Sequence, residues 1–398
     1  MTEPIPVARR PRLLFIDDQR EVARTLAKLL NSLSVECRFA DDGETGLRRL
    51  QSEVFDLVIV DLRMPPVEWG GLWLLEKLAE HQIAANAIVL SGEAGQSETI
   101  KAMRLGALDF VVKDNAQAEL CDRVKEALAE ARRLRWQFAA TGLPAPLSIP
   151  FTRMALRNDE IHKLRAAVIC VEAVYRFAAL AACAVCGPSG RNLLVDSLAS
   201  PSMGTWQHLC RRLLDDLPPS TLRRWLEFIV GTTANEITTL RNDLHHGADP
   251  TRRWAQEHLP IVGDWLDQFL ALARYWPHIS LIVPGALEYK NGRFLVDAAT
   301  ISGNASAVGS DRLSHDKPLD AGHVHLLAEG SLIDMWPMVL AERGEMPGRW
   351  NIFVLDSYRN SGSRAGTATG KLRYLDLERG ERAMSPATVV EDIRLRTD

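Results

Sequence analysis

Short apolar runs alternate with amphipathic stretches from Arg12 to about Phe138. Leu13–Ile16, Val35–Phe39, Leu57–Val60, Ala87–Leu90 and Phe110–Val112 read as strands. Glu21–Asn31, Glu44–Gln51, Leu72–Glu80, Ser97–Leu105 and Gln117–Arg135 carry a helical period. Strands that alternate with helices in this way predict a parallel, doubly wound α/β sheet with helices on both faces. A site in such a sheet lies beyond the carboxyl ends of the strands.

The pattern then changes twice. Residues 139–152 hold Gly142, Pro144, Pro146 and Pro150 and show no helical period, which predicts a linker. Residues 153–278 are helical throughout, so an all-α domain is expected there. Its segments are Met154–Cys186, a break at Gly187–Gly190, Arg191–Leu198, Thr205–Leu214, Ser220–Val230, Ala234–His246 and Trp254–Trp276. From Ile279 the period shifts toward two, and residues 279–398 predict a small, mainly-β domain. Its expected strands are Ser280–Val283, Leu287–Tyr289, Arg293–Val296, His323–Leu327, Ser331–Trp336, Asn351–Leu355 and Lys371–Leu377, with a hairpin turn at Asn291-Gly292. Ile301–Pro318 and Asp356–Gly370 are rich in Gly, Ser, Asn and Asp and are expected to be loops.

Length agrees with this division, since 398 residues suit two or three domains. A net charge of −4 excludes a broadly basic chain held to nucleic acid by phosphate contacts. No helix-turn-helix pattern with a basic recognition helix is legible, so a DNA-binding factor is not expected. Six cysteines are too few for a disulfide scaffold, and the cytoplasm is the expected compartment. The longest apolar stretch, Val168–Cys186, is interrupted by Glu172 and Arg176, which predicts a buried helix and no membrane partner. Cys183 and Cys186 have redox or zinc spacing, but they sit in an Ala/Val-rich helix with no second pair and read as core. Trp206, Trp225, Trp254, Trp265 and Trp276 likewise read mainly as core or dimer interface.

The chemistry gathers at the predicted strand ends. Asp17 and Asp18 follow the first strand, Asp61 the third, Ser91 the fourth and Lys113 the fifth. Three converging carboxylates repel unless a cation joins them, and oxygen ligands with room for water suit Mg²⁺. A carboxylate beside Mg²⁺ and a lysine is a nucleophile toward a phosphoryl group. This stretch, about residues 12–138 of an expected domain 1–138, strongly resembles the receiver domain of bacterial two-component response regulators, whose fold is flavodoxin-like. The resemblance implies that Asp61 is the phosphorylated aspartate, that Asp17, Asp18 and Asp61 form the Mg²⁺ pocket, that Ser91 and Lys113 contact the phosphoryl group, and that Phe110 is the aromatic switch. It also implies a histidine kinase or phosphotransfer protein as partner. The sequence departs from that family at Asp114, where proline is usual, and the loop after Pro65 is slightly long.

The middle third offers a second candidate. It holds fourteen Arg/Lys against thirteen Asp/Glu and six of the ten histidines, so the acidic overall balance leaves this region about neutral. In Arg241-Asn242-Asp243-Leu244-His245-His246-Gly247, Asn242 and His246 share a helix face, and Gly247 suits the residue past the helix end. Histidine, arginine and an amide there suit acid–base work on a phosphodiester, with the RNA 2′-hydroxyl as nucleophile and no metal. The segment resembles the Arg-Asn-x-x-x-His signature of the all-α HEPN superfamily. That resemblance implies a metal-independent ribonuclease with a composite site in a homodimer, Arg241 and His246 catalytic, Asn242 supporting them, and RNA as substrate. The alternative is a non-catalytic protein whose helical and β regions bind a partner protein under phosphorylation control. His323 and His325 alternate along one strand, but no third ligand is legible and a metal is not expected there.

Overall fold

The computed structural model describes residues 9–92, 96–198, 201–231, 234–245, 250–276, 278–303, 306–345, 349–360 and 370–384. The chain forms two compact units. Among the described residues, one holds 9–136 with 270–276, and the other 137–269 with 278–384.

The first unit is the expected doubly wound sheet. Strands β1 (Arg12–Ile16), β2 (Glu36–Ala40), β3 (Leu57–Asp61), β4 (Ala87–Ser91) and β5 (Asp109–Val112) are all parallel, in the order β2-β1-β3-β4-β5. Helices α1 (Arg20–Leu29), α2 (Gly43–Ser52), α3 (Gly70–Glu80), α4 (Gln96–Arg104) and α5 (Ala116–Thr141) connect and follow them. β1, β3 and β4 are buried along nearly their whole length, as strands covered on both faces must be. One core layer joins Leu13, Phe15, Leu57 and Ile88 of the sheet to Leu26, Leu120 and Val124 of the helices. Residues 270–276 pack with this unit, the Ala84 N–H donating to the Tyr275 carbonyl at 2.9 Å.

The second unit joins helices and sheets that the sequence assigns to separate domains. Its helices are α6 (Ala145–Ala155), α7 (Glu160–Val185), α8 (Gly187–Ser197), α9 (Met203–Leu213), α10 (Thr221–Gly231), α11 (Ala234–His245) and α12 (Arg252–Tyr275), the last extending into residues of the first unit. Its strands are β6 (Ser280–Lys290), β7 (Arg293–Ser302), β8 (Ser306–His315), β9 (His325–Ala328), β10 (Ser331–Asp334), β11 (Val339–Arg343), β12 (Trp350–Asn360), β13 (Gly370–Asp376) and β14 (Glu381–Met384). They make two antiparallel sheets, β10-β9-β6-β7-β8 and β11-β12-β13-β14. Helix and sheet are stitched together in places. Pro144 bridges Ser302, and Glu329 in the β9–β10 turn accepts from Thr221 N at 2.5 Å and Thr221 Oγ1 at 2.9 Å.

Several expectations need correction. Most of the segment 139–152, expected to be a linker, is helical: α5 runs on to Thr141 and α6 begins at Ala145. Pro144 caps α6, and Pro146 sits in the first turn, where its missing N–H costs nothing. Burial of Leu147, Phe151 and Met154 offsets the internal Pro150. The break at Gly187–Gly190 is the first turn of α8, with Gly187 at φ +60° and Gly190 packed where a Cβ would meet the Cys183 carbonyl oxygen at 2.5 Å. Within the expected loop Ile301–Pro318, β8 pairs along β7, and β12 runs on to Asn360 into the other expected loop, whose residues 361–369 lie outside those described. The Asn291-Gly292 turn forms as expected, both residues having positive φ, as a type I′ turn requires.

α7 is long and apolar enough to cross a membrane by length and composition, but 78% of its most apolar window is buried in the protein. Tyr175 of α7 packs edge-on to Trp265 at 5.4 Å, and Trp225 to Phe269 at 5.1 Å. Trp206, Trp225 and Trp265 are buried core, as is Trp276 in the other unit, while Trp254 is half-buried and stacks on His258. Cys183 is buried, and burial pushes its thiol well above the ordinary range, as suits a core residue.

Candidate functional site

The sheet register builds the site. Ile16 pairs with Val60 and Asp61 with Leu90, so the turn after β1 brings Asp17 beside Asp61, and Ser91 ends the next strand. Ser91 pairs in turn with Val112, which delivers Lys113. Lys113 Nζ lies 2.9 Å from Asp61 Oδ2 and 2.9 Å from Asp17 Oδ2. Asp17 Oδ1 accepts from Gln19 N at 2.8 Å, which fixes the turn into α1. Asp17, Asp61 and Ser91 are buried and Asp18 is exposed. Phe110 is half-buried on β5, its N–H held by the Asp109 carboxylate at 2.8 Å.

The loop between β3 and α3 closes tightly on this corner. Gly71 N donates to the Leu62 carbonyl at 3.1 Å, and a Cβ at Gly71 would lie 2.2 Å from the Asp61 carbonyl oxygen. Only glycine permits that approach. The Lys113–Asp114 bond is not among the cis peptides of the described residues, which are Pro65–Pro66 and Trp336–Pro337.

Burial raises the Asp61 carboxyl above its ordinary range, and the neighbouring Asp17 charge adds to this, while the Lys113 ammonium opposes both. Burial pulls Lys113 down, but its two carboxylate partners outweigh that and hold it above its ordinary value. The site therefore carries more negative charge than one lysine neutralises. One carboxylate oxygen from each of Asp17, Asp18 and Asp61 lies within 4.8 Å of the other two. A hard divalent cation with oxygen ligands fits this donor set.

Asp56 was not singled out by its sequence. It is a buried carboxylate just before β3 that accepts from Arg9 Nη2 at 2.5 Å, Arg12 N at 2.8 Å and Arg135 Nη1 at 2.9 Å. Burial would raise its carboxyl, but the Arg9 and Arg135 guanidinium groups win and hold it below the ordinary range.

The second candidate site is described in part. Arg241 lies on α11, half-buried, with its Nε 3.8 Å from Glu172 Oε2 of α7 and an Nη1 bond to Asn242 Oδ1 at 3.3 Å. Asn242 is exposed, and His246 lies outside the described residues. Just before β9, His323 Nδ1 sits 2.8 Å from Asp334 Oδ2 of β10 and 3.7 Å from Asp320 Oδ2. His323 thus gathers with Asp320 and Asp334 and not with His325, which is buried and held below its ordinary value by that burial.

Comparison with known proteins bears on the first site. The family model "Response regulator receiver domain" matches residues 13–125. Over 107 residues the chain is 37% identical to a protein-glutamate methylesterase/protein-glutamine glutaminase of Geobacter sulfurreducens, covering 26% of this chain and 28% of that protein. Over 169 residues it is 30% identical to the two-component response regulator PprB of Pseudomonas aeruginosa, covering 40% and 59%. The chain thus spans less than two thirds of either relative. The crystal structure of a response regulator receiver protein from Pseudomonas putida is 31% identical, with a TM-score of 0.28, and covers 31% of this chain and 99% of that one. The N-terminal portion of the chain is a response regulator receiver domain.

Proposed function

We propose that the chain is a cytoplasmic response regulator that takes a phosphoryl group on Asp61 and passes the signal to its helical output. The observation that carries this is Lys113 Nζ at 2.9 Å from both Asp61 and Asp17, at the carboxyl ends of a doubly wound sheet. An Asp61 oxygen attacks phosphorus on a histidine kinase or phosphotransfer protein, a P–O bond forms, and the bond to the donor histidine breaks with its electron pair remaining on the imidazole. Lys113 stabilises the added charge, and Ser91 and Phe110 respond to it. Asp17, Asp18 and Asp61 are the residues to hold Mg²⁺, which when bound supplies charge neutralisation on the phosphoryl oxygens. Labelling by acetyl phosphate in Mg²⁺ tests this: Asp61→Asn is expected to abolish it, and retained label overturns the assignment.

For the output, the reading is metal-independent RNA cleavage in a homodimer. Arg241 would stabilise charge on the phosphodiester, His246 would move protons, and Asn242 would support them. Mixed RNA incubated with the protein in EDTA tests it, with a second arm in Mg²⁺ and beryllofluoride. Cleavage that disappears in His246→Ala supports it. A second reading, in which this region binds a partner protein without catalysis, is favoured by the Arg241–Glu172 ion pair, which draws the guanidinium toward the protein.

A further inference from the structure

The geometry points to a binding site for a small amphiphilic anion, with an apolar body and a carboxylate or phosphate head, in a cavity between α6, α7 and the β12–β13 sheet. The cavity is about 660 Å³, within the roughly 300–1,000 Å³ of small-molecule sites. On α7, Ala166, Ile169, Ala173 and Phe177 recur at helical spacing and line one wall. Val354, Leu375 and Leu377 of the sheet side form the other. Ile169 is 57% exposed here, an apolar surface that a bound body would cover.

The charged groups are not evenly placed. At the inner end, Arg176 is 8% exposed and is spoken for: its Nη2 lies 2.8 Å from Glu172 Oε1 and 3.4 Å from Asp356 Oδ1. Its Nε, fully buried, has no hydrogen-bond partner among the described residues. At the mouth the cations are less committed. Arg157 is exposed and makes no ion pair among the described residues, and Arg379 reaches Asp376 only at 3.8 Å. Arg153 donates to the Glu378 carbonyl, and Gly380 lacks the Cβ that would meet its Nη1 at 3.2 Å. Among the described residues the lining thus sets four guanidinium groups against two carboxylates, with the surplus positive charge at the mouth. An anionic head meets Arg153, Arg157 and Arg379 there, where Arg geometry favours carboxylate and phosphate. The apolar body fills the space against Phe177 and Leu375, and a polar atom at its far end completes Arg176 Nε.

The inference stands apart from phosphorylation of Asp61 and from RNA cleavage. Full-length protein is titrated with 1-anilinonaphthalene-8-sulfonate, a ring system with one anionic head, and fluorescence is read. One saturable site is expected. Decanoate and decyl phosphate should displace the probe, the tighter of the two assigning the head. Decyltrimethylammonium and inorganic phosphate at equal concentration should not. Arg157→Glu and Arg379→Glu, both exposed positions with little bearing on folding, should each weaken probe binding about tenfold at unchanged circular dichroism. Binding that is absent, indifferent to both charge reversals, or equally displaced by the cationic amphiphile overturns the site.

Discussion

Lys113 Nζ stands 2.9 Å from Asp61 Oδ2 and at the same distance from Asp17 Oδ2, one ammonium shared by two buried carboxylates. Lysine and a divalent cation therefore compete to neutralise the same oxygens. Lys113→Ala leaves three carboxylates together, so Mg²⁺ should bind this variant more tightly and stabilise it more than the parent, following the usual dependence on ligand concentration over Kd. Melting temperatures across a Mg²⁺ titration read this directly. Acetyl-phosphate labelling should fall in the same variant, because the phosphoryl group loses its lysine contact. An unchanged Mg²⁺ shift would show that Lys113 does not hold these carboxylates in solution.

Asp56 gives a stability prediction with a defined pH window. Its folded carboxyl lies below the ordinary 3.8, held there by Arg9 and Arg135 against the effect of burial. A depressed folded value contributes stability that is complete above the unfolded pKa and is lost as pH falls through the folded one. Asp56→Asn should therefore cost about 3–5 kcal/mol at pH 7, since it strands buried guanidinium charge. The gap between parent and variant should persist down to about pH 4 and close only below it. Urea unfolding at a series of pH values measures the gap, and a gap already closed at pH 5 would contradict the assigned direction.

Asp56 also shows where sequence reading stops. Asp17, Asp18, Asp61, Ser91 and Lys113 are legible because each follows an apolar run, and parallel strands bring such ends to one edge of the sheet. Asp56 precedes its strand, and its arginine partners lie 47 and 79 residues away, a relation that no local pattern encodes. The β8 strand was hidden for a different reason. Ser306–His315 carries few apolar residues, yet it is an edge strand held by backbone pairing to β7, which does not depend on side-chain polarity. α6 was masked by its prolines, tolerated at the start and outweighed further on by buried Leu147, Phe151 and Met154. The union of helices and sheets in one compact unit rests on tertiary contacts such as Glu329 with Thr221, 108 residues apart.

That contact is itself testable. Glu329 sits at φ +51° and places its carboxylate on Thr221 N and Oγ1 at the start of α10, where an anion also favours the helix dipole. Glu329→Ala removes the cap and keeps the left-handed backbone cost, so a loss of about 1 kcal/mol is expected. Glu329→Gly removes the cap but relieves the backbone and should lose less. Denaturant midpoints for the two variants decide it, and an alanine variant as stable as the parent would remove Glu329 from the contacts that join helix and sheet.

The output hypothesis turns on Arg241. Its contact with Glu172, at 3.8 Å, is at the outer limit of an ion pair and beyond hydrogen-bond reach, so the pair itself is worth about 0–1 kcal/mol. If the guanidinium acts on a phosphodiester, Arg241→Ala should lower metal-independent RNA cleavage by about two to three orders of magnitude, the usual cost of one donor that stabilises developing charge. The melting temperature should then move by only a few degrees. Arg241→Lys keeps the charge but loses the planar fork, so activity between the parent and the alanine variant is expected. The opposite pattern is equally readable. Cleavage that survives Arg241→Ala, together with a stability loss well beyond 1 kcal/mol, identifies the arginine as a structural cation for Glu172 and shifts the output from RNA chemistry to partner binding.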